Sequence, residues 1–166
     1  MSTFHSIPSN AASELNWDAF VASLYRVWEF APDFSPNGPV NFSGRRVLVV
    51  DRDSDHNSQL GERLKRIGSS AISVMTIRMA IRELEKHSID LIVLATDFPD
   101  EDALQFCRAV CDATSTMNVP IIMLSDDDRS EMVWSARRAG AAFYLRKPYD
   151  PYVLLALMSA ALDPAD

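Results

Sequence analysis

Residues 90–104 read DLIVLATDFPDEDAL. Five apolar residues, Leu91 to Ala95, run without a break, and Pro99 closes the loop behind them. A short apolar run ended by a turn residue reads as a strand buried on both faces, as in parallel sheets. Asp102 then opens a helical stretch to Ala113, in which Leu104, Cys107 and Cys111 form one apolar face. A buried strand followed by a helix is half of a βαβ unit, and a parallel sheet needs several of them.

The same alternation recurs on both sides. Val47 to Val50 is a strand, and Ser54 to Ile67 a helix that Gly68 stops. Ala71 to Met75 is the next strand. The helix from Thr76 to Lys86 follows, with Thr76 as N-cap and Ile77, Ala80, Ile81 and Leu84 as its buried stripe. Beyond the opening stretch come a strand from Pro120 to Leu124 and a helix from Asp128 to Ala139, capped by one of Asp126, Asp127 and Asp128 and ended by Gly140. A last strand, Ala142 to Leu145, leads to a helix from Asp150 to Ala161, with Asp150 as N-cap and Pro151 in the first turn. Five such units with short connections predict an α/β fold, a five-stranded parallel sheet with helices on both faces. In such sheets the loops at the carboxyl ends of the strands carry the site.

The chain divides near residue 44. Residues 31–44, APDFSPNGPVNFSG, hold three prolines and two glycines and read as a linker. Residues 1–30 form an extension whose stretch 11–30 reads as one amphipathic helix. Trp17, Phe20, Leu24 and Trp28 fall on its apolar side. Residues 45–163 form the α/β domain. With 166 residues and 48% hydrophobic content, the chain suffices for one domain plus this extension.

A formal net charge of −7 argues against a nucleic-acid partner, because phosphate backbones are held by clustered Lys and Arg. Only five residues follow Ala161, so no DNA-binding domain is expected after it. Two cysteines imply no disulfide framework and suit a reducing cytoplasm. His5, His56 and His87 show no paired metal-ligand spacing. The opening MSTFHSIPSN lacks the basic and apolar regions of a signal peptide, and no stretch is long and apolar enough for a bilayer.

Four stretches, VLVVDRD (47–53), DLIVLATDFPDEDAL (90–104), VPIIMLSDD (119–127) and AAFYLRKPYDP (141–151), resemble the receiver domain of two-component response regulators in order and spacing. The resemblance covers about Arg45 to Asp163 and implies a flavodoxin-like (βα)5 doubly wound domain. In that family an acidic pair after the first strand binds magnesium, and an aspartate ending the third strand accepts a phosphoryl group from a histidine kinase. A Thr or Ser after the fourth strand and a Lys before proline after the fifth contact that group. The resemblance places Asp51 at the first acid, Ser125 at the hydroxyl, Lys147 at the lysine, and Tyr144 at the aromatic that rotates between states. Arg52 stands at the second acid, with Asp53 beside it. Asp90, Pro99, Asp102 and Leu104 match their family positions without a gap, which puts Ala95 at the phosphoacceptor. A methyl group cannot attack phosphorus. Losing two carboxylates from the site leaves magnesium weakly held or unbound, so no cofactor is expected. Arg52 or Lys147 is expected to replace the metal electrostatically through an ion pair.

The resemblance therefore implies a stand-alone, atypical receiver, a pseudo-receiver. It would not be an enzyme and would act as a phosphorylation-independent protein-binding module in bacterial signalling. Its partner would be a histidine kinase, another regulator or a second copy in a homodimer. The alternative is an active receiver phosphorylated at a displaced carboxylate, Asp97. A third reading takes the emptied pocket as a small-molecule sensor. The candidate partner surfaces are the amino-terminal helix, which alternatively folds back on the domain, and Trp134, Arg137 and Arg138 on the fourth helix of the domain. A membrane surface suits the amino-terminal helix least, since Glu14, Asp18 and Glu29 flank its lone Arg26.

Overall fold

The computed structural model describes residues 42–162. The helix expected at 11–30, with Trp17, Phe20, Leu24 and Trp28, lies outside the described residues, as does most of the expected linker.

Alternation of strands and helices runs through the whole of the described chain. The strands are β1 (Arg46–Val50), β2 (Ser70–Val74), β3 (Leu91–Ala95), β4 (Ile121–Ser125) and β5 (Phe143–Arg146). The helices are α1 (Ser54–Arg66), α2 (Ile77–Lys86), α3 (Ala103–Asp112), α4 (Ser130–Arg138) and α5 (Pro151–Leu162). These bounds lie within one or two residues of the expected ones, the usual uncertainty of an element's end. All neighbouring strands pair in parallel, in the order β2-β1-β3-β4-β5. The fold is the flavodoxin-like doubly wound one, and the strand order reverses between β1 and β3.

Burial follows that order. Every residue of β3 and β4 is buried, as central strands covered on both faces require. At the edge, β2 keeps only Val74 fully buried. Phe42, in the last residues of the stretch read as linker, is 2% exposed and accepts a hydrogen bond from Arg45 N across a turn at Gly44.

Caps set the helix starts. Asp53 accepts from the backbone N–H groups of Asp55 and His56, Thr76 from Met79, Asp102 from Gln105, and Asp150 from Tyr152. Glu101, just ahead of α3, accepts from Ile77 N and Arg78 N, so the amino-terminal ends of α2 and α3 lie together. At α4 the expectation of an aspartate cap fails. Arg129 holds the N-cap position without a side-chain cap bond, and Asp127 accepts from Arg129 N one step earlier. The buried stripe expected on α2 is also too wide. Ile77 and Ala80 are buried, but Ile81 is 46% exposed and Leu84 half-buried.

Cys107 is fully buried and Cys111 half-buried, and both are free thiols. Burial pushes the Cys107 thiol up to about 12, as befits a packing residue. Gly140 has φ of +99°, and a Cβ there would meet Cys111 Sγ at 2.6 Å, so glycine is needed on both counts.

Candidate functional site

Strand register assembles the site. Val50 pairs with Leu94, so Asp51 and Ala95 stand level at the carboxyl ends of β1 and β3. Ala95 pairs with Leu124, which sets Ser125 level with Thr96. Ser125 pairs with Arg146, so Lys147 follows directly at the end of β5. The crevice thus falls where the strand order reverses, the usual ligand position of open α/β sheets.

Asp51 is the centre. It is 1% exposed, and its carboxylate is fully engaged. Oδ1 accepts from Asp53 N at 2.9 Å, and Oδ2 accepts from Lys147 Nζ at 2.9 Å. His56 Nδ1 lies 2.6 Å from the same Oδ2. Burial by itself would push the carboxyl up, but the hydrogen bonds from His56, Lys147 and Asp53 N, with the charge of Lys147, outweigh it and bring the group to about 2.

A carboxylate only accepts, so the facing Nδ1 of His56 carries a proton. The other ring nitrogen, Nε2, lies 2.5 Å from the Tyr149 hydroxyl, which donates to it when the imidazole is neutral. The two rings meet edge to face, with centroids 5.6 Å apart. Burial, and then the charge of Asp51, push the Tyr149 phenol above its ordinary range, so it remains a donor. Beneath them Asn57, 2% exposed, donates from Nδ2 to Asp51 O and Val74 O, both at 2.8 Å, and ties α1 to the ends of β1 and β2.

Ala95 presents only a methyl and is fully buried. Beside it, Thr96 Oγ1 donates to Ser125 Oγ at 2.7 Å, and Asp127 N donates to the same oxygen at 3.1 Å. The Tyr144 hydroxyl donates to the carbonyl of Asp127, and Tyr144 is 6% exposed. Arg129 grips the Asp127 carboxylate from its own side chain at 2.6–3.1 Å. The loop after β4 is therefore pinned by its N–H, its carbonyl and its side chain at one residue.

Of the expected pocket residues, the structure brings Asp51, Ala95, Ser125 and Lys147 to adjacent strand ends. The side chains of Arg52 and Asp53 do not join them. Arg52 is exposed and sits 3.5 Å from the exposed Asp97, forming a pair outside the crevice, while Asp53 is spent on capping α1. The ion pair expected of Arg52 or Lys147 with Asp51 is made by Lys147. His56, Tyr149, Thr96 and Asn57 were not singled out by sequence. His56 and Tyr149 are 93 positions apart, and no local pattern links them. Trp134 is half-buried under the Arg137 guanidinium, 5.6 Å from its ring centroid, and Arg138 is exposed. Among the described residues no helix is long and apolar enough to cross a membrane.

The family model described as the response regulator receiver domain matches residues 47–159. The chain is 33% identical over 122 residues to the transcriptional regulatory protein GltR of Pseudomonas aeruginosa, covering 72% of this chain and 50% of GltR. It is 26% identical over 118 residues to the phosphate regulon transcriptional regulatory protein PhoB of Klebsiella pneumoniae, covering 71% and 52%. The chain thus spans about half the length of these relatives. Among solved structures it resembles a two-component response regulator from Clostridium difficile at TM-score 0.67 and 25% identity, over 71% of this chain and 95% of that one. The fold is shared with the chemotaxis protein CheY4 of Vibrio cholerae at TM-score 0.67 and 24% identity, over 71% and 98%. With the receiver match spanning well over half of its length, the chain belongs to the response regulator receiver family of two-component signalling.

Proposed function

We propose that this receiver is a pseudo-receiver, a phosphorylation-independent protein-interaction module acting in the cytoplasm. The observation that carries the reading is the methyl of Ala95 at the end of β3, level with Asp51 and without a carboxylate in its place. A phosphoryl acceptor must supply a nucleophilic oxygen there. Asp97 is 42% exposed and pairs with the exposed Arg52, whereas Lys147 is committed to Asp51 and Ser125 to Thr96 and Asp127.

The donor set does not suit magnesium either. That ion wants an octahedron of oxygens with one or two carboxylates. Among the described residues, Asp51 is the one acid at these strand ends whose side chain turns to Lys147, and its Oδ2 already faces two nitrogens. Lys147 fills the electrostatic role of a cation. The hydrogen bonds of Ser125 to Thr96 and Asp127, and of Tyr144 to Asp127, are made wholly within the protein. A surface braced by these internal hydrogen bonds suits recognition by a histidine kinase, another regulator or a second copy.

Intact-mass spectrometry after incubation with magnesium and acetyl phosphate tests the reading. Wild type is run beside Asp97→Ala and Asp51→Ala, with folding checked by circular dichroism. No adduct on folded wild type is the expected result. A labile adduct that disappears in Asp97→Ala would overturn it and establish an active receiver with a displaced acceptor.

A further inference from the structure

On the flank of the domain, away from the strand-end crevice, α2 and α3 leave an open cleft of about 640 Å³ between them. Its floor is apolar: Ile77, Ile81, Leu84, Phe106, Ala109 and Ala113. Here the surplus of the α2 stripe becomes informative. The fold needs Ile77 and Ala80 for its core, yet the apolar face continues onto Ile81, which is 46% exposed. On the α3 side of this floor Ala109, in the last turn of the helix, and Ala113, the residue just past its end, are exposed small side chains that let another backbone approach closely.

Charge is distributed with one sign. The cleft is lined by Glu85, Asp100, Glu101 and Asp102, and by no Lys, Arg or His among the described residues. Glu101 and Asp102 are occupied in capping α2 and α3. Asp100 and Glu85 make no ion pair among the described residues. They stand near opposite ends of the cleft, because Asp100 adjoins the caps and Glu85 lies in the last turn of α2. The eight helical steps from Ile77 to Glu85 separate those ends by about 12 Å.

We infer that the α2–α3 cleft is a docking groove for an amphipathic helix of a partner protein, with a basic residue at each end of its apolar stripe. Apolar anchors at i, i+3, i+4 and i+7 cover the floor, and the flanking bases meet Asp100 and Glu85. The proposal is independent of whether the strand-end site accepts phosphate.

The test uses the full chain and a fluorescein-labelled helical peptide of about sixteen residues, with Leu at i, i+3, i+4 and i+7 and Lys at both ends of that stripe. Anisotropy titrations are expected to saturate. The Glu85→Lys, Asp100→Lys double variant should weaken binding about five- to tenfold, the range for two exposed charge pairs. Ala109→Arg, which fills the floor at an exposed helix position, should abolish it. A peptide with Glu in place of Lys needs no protein variant and should bind about tenfold more weakly to wild type. The inference is overturned by absence of saturation, by equal binding of the two peptides, or by indifference to Ala109→Arg. It is also overturned if light scattering shows the full chain forming a dimer that Ala109→Arg dissociates, since the occupant would then be a second copy.

Discussion

Replacing Lys147 with methionine should destabilise the domain by roughly 2–3 kcal/mol at pH 7. The magnitude follows from the surroundings of Asp51. Its carboxyl is held at about 2 against an ordinary 3.8, and at ~1.4 kcal/mol per pH unit this is about 2.5 kcal/mol in favour of the ionised form in the fold. Lys147 supplies one of the three hydrogen bonds behind that shift and the full positive charge. Removing one member of a buried pair typically costs about 3–5 kcal/mol, and the N–H groups of His56 and Asp53 that remain bring the expected loss to the lower end. Methionine keeps the length and apolar bulk of the lysine stem, so packing changes little. Urea unfolding followed by tryptophan fluorescence measures the difference. In an Asp51→Asn background the same substitution should cost under about 1 kcal/mol, giving a coupling energy near 2 kcal/mol. The effect also has a definite pH dependence. A depressed folded pKa contributes stability that is present above 3.8 and lost as pH falls toward 2. The Asp51 of the variant titrates higher, so the gap between the two proteins is full at pH 7 and shrinks as the buffer is acidified. A loss below about 0.5 kcal/mol at pH 7, or one unchanged by acid, would refute the claim that a desolvated Asp51–Lys147 pair holds the crevice.

Three further outcomes follow from the same geometry. Tyr149→Phe removes the hydroxyl that meets His56 Nε2 and should cost about 1 kcal/mol in urea unfolding, with fold retained by circular dichroism. Ala95→Asp places a second carboxylate against buried Asp51, and should lower stability by about 3 kcal/mol in chelator at pH 7, with recovery on adding magnesium. Calorimetric melts with and without the metal would show it, and a variant as stable as wild type in chelator would contradict the description of the crevice. Arg52→Ala breaks only an exposed contact with Asp97 and should change stability by under about 0.5 kcal/mol, in contrast to Lys147→Met.

Much of this was legible along the chain. The apolar runs of β1, β3 and β4 are strands buried on both faces, and burial on both faces is itself the mark of a parallel sheet. Caps at Thr76, Asp102 and Asp150 set helix starts through bonds two or three residues long, which a local pattern contains in full, while Asp53, expected in the pocket, caps α1. Ala95 could be placed from its fixed distances to Asp90 and Pro99. The outward course of Arg52 follows from the same local geometry: if Asp51 points into the crevice at a strand end, its neighbour points away.

The order of elements and the sheet type can thus be read along the chain, because they depend on periodicity and short-range chemistry. What the residues at the strand ends touch emerges only when the chain is folded. The chain of hydrogen bonds from Tyr149 through His56 to Asp51 and Lys147 directly bonds residues as much as 96 positions apart, and no helical or strand period reaches across that span. Likewise, periodicity said which face of α2 is apolar but not how wide a neighbour would cover it. Packing of α2 against β1 and β2 covered Ile77 and Ala80 and left Ile81 facing the cleft, because a helix laid on a sheet buries only the side that meets it.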